Sequence, residues 1–169
     1  MSDPQKFFIE FEVKDEARFH SLYHAFEALK EDKRKQIQAQ NEEERIHAFR
    51  SDTQWLALFD ERSRTYFRWS TKEEDDAWLF RWLATPVEKR LSDPALQRQW
   101  SLLSMIEAFQ TGEFELLSCQ IVSLNQARLE YNPLAEPFGG TDCMKALIEA
   151  FGFHVLKEKR EDHYIQQLL

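Results

Sequence analysis

Glycine and cysteine are scarce in this chain, and their scarcity removes several chemistries at once. It has four glycines, and the one place where two stand together, Gly139-Gly140-Thr141-Asp142, matches neither G-x-x-x-x-G-K-[ST] nor G-x-G-x-x-G. Asp142 would also put negative charge where a phosphate must sit. The two cysteines, Cys119 and Cys143, are far apart and outside any C-x-x-C pattern, so they imply neither a disulfide framework nor a thiolate zinc site. Long apolar runs are missing too. Stretches such as Trp55-Leu56-Ala57-Leu58-Phe59 are far too short to span a bilayer. Met1 to Val13 lacks the charged start, apolar stretch and small-residue cleavage site of a secretory signal. The expected compartment is the cytoplasm, with both thiols reduced and at least partly buried.

Positive charge is the last shortage. Lys and Arg number 22 against 30 Asp and Glu, a formal net charge of -8, which repels nucleic-acid phosphates and anionic membranes alike. Neither is an expected partner. The only basic triplet, Lys33-Arg34-Lys35, lies near Glu31, Asp32 and Glu42-Glu43-Glu44 and reads as a solvated helix face.

Aromatic bulk is what the chain has in plenty. With 14 Phe and 5 Trp among 169 residues, it carries more large apolar surface than a disordered chain holds in water. The length suits a single domain over 1–169 with one core.

Periodicity gives the elements. Phe7, Ile9, Phe11 and Val13 alternate with Glu10 and Glu12, as in a half-buried strand. From Asp15 the spacing changes to three and four through Phe19, Leu22, Tyr23, Phe26 and Leu29, a helix with one buried stripe. Beyond Lys30 the stripe fades, so 31–50 is expected as an exposed helical extension or a linker. Two aromatic runs, Trp55 to Phe59 and Arg64 to Trp69, flank the polar Asp60-Glu61-Arg62-Ser63 and suit a hairpin, though the first could be a helical turn. Thr71 and Glu74 form a capping-box pattern for a helix from Lys72 that breaks near Pro86. Asp93-Pro94 is the next start signal, for a helix through Leu96, Trp100, Leu103, Ile106 and Phe109 that stops at Thr111-Gly112.

Phe114 to Leu124 reads as a strand with apolar residues on both parities, which implies two buried faces or a bulge. It forms a hairpin with Ala127 to Tyr131. Thr141 is expected to cap a helix facing the core with Met144, Leu147, Ile148 and Phe151, with Gly152 as its left-handed stop and a strand over Phe153 to Leu156. Clustered strands and helices predict the α+β class, a mostly antiparallel sheet of about four to six strands with about four helices.

Three places are candidates for a site. The first is the loop from Asn132 to Thr141, which concentrates proline and glycine. Pro133 and Pro137 favour extended backbone before them and Gly139-Gly140 tolerate positive φ. A pocket beneath it would be lined by Tyr131, Phe138 and Cys143, with Gly139, Gly140 and Thr141 at its rim. Cys143 also falls in a first helical turn, where the macrodipole favours a thiolate, with His154 or His163 as a conceivable base. Its plainer reading is a buried structural thiol. The second is His20-x-x-x-His24, whose imidazoles stand one turn apart and could share a metal with Glu27 or Glu31. No glutamate lies between them as in H-E-x-x-H, and their position beside the apolar stripe suits boundary residues that bind nothing.

The third is the helix carrying Trp78, Arg81 and Trp82. With Ala77, Leu79, Phe80, Leu83 and Ala84 also apolar, it has little polar face, which makes it either central to the fold or half of an interface. Arginine among aromatics is the composition of binding hot spots. No complete catalytic set and no cofactor motif is present. The expected function is therefore a non-catalytic protein-binding module of adaptor, inhibitor or immunity type. Its partner would be a protein, a basic one favoured by charge, or a second copy in a homodimer. The alternative is a small enzyme or ligand-binding domain using the 132–141 loop, with a metal at His20 and His24 as a variant.

Overall fold

The alternation from Phe7 builds the central strand of a sheet. The computed structural model describes residues 7–135, 138–160 and 163–166, with side chains to residue 159. Five strands, β1 (Phe7–Glu12), β2 (Phe114–Ser123), β3 (Gln126–Pro133), β4 (His154–Arg160) and β5 (His163–Gln166), pair in the order β2-β3-β1-β4-β5. Every pairing is antiparallel, and the class is α+β as expected. Ile9, Phe11 and Val13 face the helices. The opposite face of β1 is covered as well: the Arg128 guanidinium lies 3.8 Å from the centre of the Phe8 ring. It also donates to Glu10 at 2.9 Å, with Lys157 at 3.7 Å. Glu10, expected to point to solvent, is buried beneath these cations.

Helix α1 (Glu16–Gln38) starts on Asp15, whose carboxylate accepts from the amides of Ala17 and Arg18. It does not stop where its apolar stripe fades. Asp32 is buried and pairs with Arg50, which also donates to Ala28 O and Glu31 and stands 5.5 Å from the Trp55 ring. These contacts hold the polar half of α1 in the fold. The rest of the 31–50 segment is the short, fully exposed α2 (Glu42–His47).

The hairpin expected over Trp55–Trp69 is not formed. Two short helices, α3 (Asp52–Ala57) and α4 (Glu61–Arg64), occupy it. Ser51 and Gln54 make a reciprocal capping box, and Asp60 accepts from the Ser63 amide, so side-chain caps outweigh aromatic strand propensity here. Phe59 packs between Phe67 and Phe151 at ring distances of 5.9 and 5.4 Å.

Helix α5 (Lys72–Ala84) begins on Thr71 and ends before Pro86, and α6 (Val87–Arg90) follows. The helix expected from Asp93 begins later, as α7 (Leu102–Thr111), on a Ser101–Ser104 capping box. Asp93 closes a local turn by accepting from the Ala95 amide at 2.9 Å. Carbonyls that a longer helix would use are taken by Arg68, whose backbone and side chain donate to Trp100 O and Gln99 O.

A bulge between Leu116 and Ser118 resolves the two parities of β2: it brings Phe114, Leu116 and Cys119 onto one buried side. Helix α8 (Asp142–Ala150) buries Met144, Leu147 and Ile148 and stops at Gly152, φ 89°. The core lies between the sheet and helices α1, α7 and α8. Among the described residues no helix is long and apolar enough to cross a membrane.

Candidate interaction surface

The loop after β3 is fastened to the turn between α7 and β2. Leu134 N–H donates to Glu113 O at 2.9 Å, and Glu113 N–H donates to Phe138 O at 3.0 Å. The Phe138 ring packs on Tyr131 at 5.6 Å and on Phe114 at 6.4 Å. Glu136 and Pro137 lie outside the described residues. Gly139 and Gly140 take φ values of 101° and 82°, which is why glycine is required in this crossing.

Thr141 differs from expectation. Its hydroxyl is buried and makes no cap; it donates to Glu158 Oε2 at 2.7 Å, while Lys145 donates to Glu158 Oε1 at 2.8 Å. A carboxylate on the core side of β4 thus ties down the start of α8. Cys143 is buried beside this contact. Burial pushes its thiol up to about 12, against the opposing pull of nearby Lys33, which holds it as a neutral thiol at pH 7. His154 is exposed at the start of β4, and the side chain of His163 lies outside the described residues. Tyr131 and Phe138 thus pack on one another, while Thr141 and Cys143 are buried at the start of α8.

Lys33 corrects the reading of the basic triplet. The residue is only 5 % exposed, and its amine donates to Phe109 O at 2.7 Å and Gly112 O at 2.8 Å, over the face of Phe114 at 4.2 Å. It satisfies carbonyls at the C-terminus of α7, which the helix itself cannot pair. Burial pushes its pKa down to about 8. Lys35, by contrast, is a surface partner of Glu31 at 3.0 Å.

His20 and His24 are exposed on α1, their rings beside Phe19 and Tyr23. Glu31, a proposed third ligand, is engaged by Lys35 and Arg50. Among the described residues no group of three His, Cys, Asp or Glu is placed to hold a metal. A groove of about 680 Å³ runs along α1, with His24, Glu27, Lys30, Arg34, Ile37 and Leu116 in its lining. Charges of both signs alternate there.

The α5–α6 segment is built differently from the core helices α1, α7 and α8. Its inner face is an aromatic and arginine stack: Trp78 and Trp82 lie 5.2 Å apart, with Arg98 4.1 Å above Trp78 and Arg90 5.2 Å above Trp82. The Trp78 indole donates to Leu96 O at 3.1 Å, and Arg90 donates to Trp82 O and Thr85 O. At the other end of the helix Asp75 accepts from Ser70 at 2.7 Å and pairs with Arg68 and Arg98. The Ser70 hydroxyl, then these arginines, hold its carboxyl below the ordinary value. Both tryptophans are therefore half-covered by the segment's own arginines, and Arg81 points to solvent.

The opposite side is bare. Leu79 is 48 % exposed, Phe80 76 %, Leu83 66 %, Val87 70 % and Leu91 87 %, and no residue of α5 or α6 is buried. The surface expected from sequence is centred on Trp78 and Trp82, whereas the exposed apolar side chains of the same helix are Leu79, Phe80 and Leu83. The arginines that cover the tryptophans stand eight and twenty positions away in the chain, Arg90 from Trp82 and Arg98 from Trp78. Compared with known proteins, the chain matches no family model, no curated protein and no solved structure.

Proposed function

We propose that this protein is a non-catalytic protein-binding module whose docking face is the bare side of α5 and α6. One observation carries the reading: five large apolar side chains stand about half or more exposed on a segment in which no helical residue is fully buried. Monomeric proteins rarely leave so many together without a partner, and a helix presenting apolar anchors at spacings of three and four is a recurrent mode of recognition. The Trp–Arg stack behind the face keeps it pre-organised, which lowers the entropy lost on docking. The carboxylates of the first turn of α5 favour a partner that brings basic residues to that end.

A photo-crosslinking amino acid at position 80 tests the reading, with position 124, exposed at the tip of the β2–β3 hairpin, as the control. Discrete protein adducts are expected from position 80 and not from 124. No adduct at 80, or the same set from both positions, rejects the docking face.

A further inference from the structure

Resting on that docking role, we infer that the occupant of this face is a second copy of the chain, laid antiparallel across α5 and α6. Charge sets the direction. Glu73, Glu74 and Asp75 stand in the first turn of α5 and Asp76 follows them, with only Lys72 against them; at the other end Lys89 and Arg90 of α6 have only Glu88 against them, and Arg81 lies midway. Some of these are already occupied, Asp75 by Ser70, Arg68 and Arg98, and Arg90 by backbone carbonyls. Glu73, Asp76, Arg81 and Lys89 form no ion pair with any described residue of their own chain.

A face with acid at one end, base at the other and apolar residues between them is complementary to itself under a two-fold rotation, which is the requirement for an isologous dimer. Parallel copies would set carboxylate against carboxylate. Antiparallel copies place Glu73 of one against Lys89 of the other, with Asp76 beside that contact, and do so twice, around a centre formed by Phe80 and Leu83. Helix dipole compensation accounts for acids in the first turn of α5, but it falls off within a turn and leaves Lys89, beyond Pro86, unexplained. Five large apolar side chains from each copy supply on the order of 1,000 Å² of buried surface, which a specific interface needs.

The test is sedimentation of the full chain from about 1 to about 100 μM, since an association of this kind follows mass action. The wild type is expected to reach the mass of two 20.2 kDa chains. Phe80→Asp should weaken the dimer about tenfold or more, with a melting temperature equal to that of the wild type at concentrations where both are monomeric, because no residue of α5 is in the core. Two charge-reversed chains then fix the arrangement: Glu73→Lys/Asp76→Lys and Lys89→Glu should each dimerise at least about tenfold more weakly alone and pair with one another when mixed in equal amounts. A wild type that stays monomeric throughout overturns the proposal, and so does either reversed chain dimerising normally or a mixture that remains monomeric. A monomeric wild type that still gives heterologous adducts from position 80 removes the self-pairing and leaves the docking face standing; loss of every adduct removes both.

Discussion

Helix α8 buries six of its nine residues, whereas α5, with thirteen, buries none. Both are dense in apolar side chains, so apolar content does not separate them. In α8 the apolar positions recur at three and four, through Met144, Leu147 and Ile148, and reach a sheet already lined with Ile9, Phe11 and Leu129. In α5 they go most of the way round the helix. One side is taken by arginines from the segment's own far end, and the other meets no part of the fold. Buried packing therefore resides in the sheet with α1, α7 and α8, and the exposed apolar side chains reside in α5 and α6.

The comparison breaks most readily at Phe109. This ring is fully buried, 6.1 Å from Phe114 and beneath the carbonyl that Lys33 caps. Phe109→Ala should cost about 3–5 kcal/mol and lower the melting temperature by roughly 10 °C, measured by calorimetry. A loss no larger than that of Phe80→Ala would mean that the core is misplaced.

Lys33 sharpens the contrast through pH. Its folded pKa, about 8, lies below the ordinary value of 10.5, so between these values the unfolded chain binds more protons than the native one. Stability then rises with pH across that window, by no more than about 3 kcal/mol, and the contribution is flat below and above it. The buried thiols act in the opposite sense: Cys119 and Cys143 are pushed up to about 12 from 9.0, so above about pH 9 their ionisation favours the unfolded chain. Comparing urea midpoints of wild type and Lys33→Met from pH 7 to 10.5 isolates the lysine, because both chains share the thiols. The difference should shift in favour of the wild type as pH rises.

Arg50 comes next. It holds Asp32, Glu31 and the Ala28 carbonyl together, and Arg50→Ala leaves a buried carboxylate without its cation. The expected loss is about 2–3 kcal/mol, with increased proteolysis across residues 39–50 as its local signature.

These contacts also show what could be read from the chain and what could not. The strand from Phe7, the hairpin of β2 and β3 with its bulge, and α8 with its glycine stop were legible because each is written in local spacing or in a turn residue. The polar half of α1 was not. Asp32, Lys33 and Lys35 look alike in sequence, and only Arg50, with the carbonyls of Phe109 and Gly112 brought in by folding, separates the buried two from the exposed one. The start of α7 was misplaced for a related reason. Asp93-Pro94 and Ser101 both offer caps, and Arg68, from another element, takes the carbonyls that decide between them. The candidate surface was half legible: the helix could be found, but its outward side depended on where Arg90 and Arg98 fold back.

The smallest effect tests that last point. Arg98→Ala removes one of the two arginine partners of Asp75 and the cation over Trp78, the latter contact worth about 1 kcal/mol at a partly exposed site. If the segment is stabilised apart from the core, this loss stays local. Global unfolding should move by less than about 0.5 kcal/mol, while amide hydrogen exchange across residues 78–97 speeds up about fivefold as its opening becomes easier. The two measurements have to diverge. A variant that lowered the melting temperature in step with the exchange rate would show that α5 and the sheet unfold as one unit, and the division between a stable core and a separately held docking face would fail.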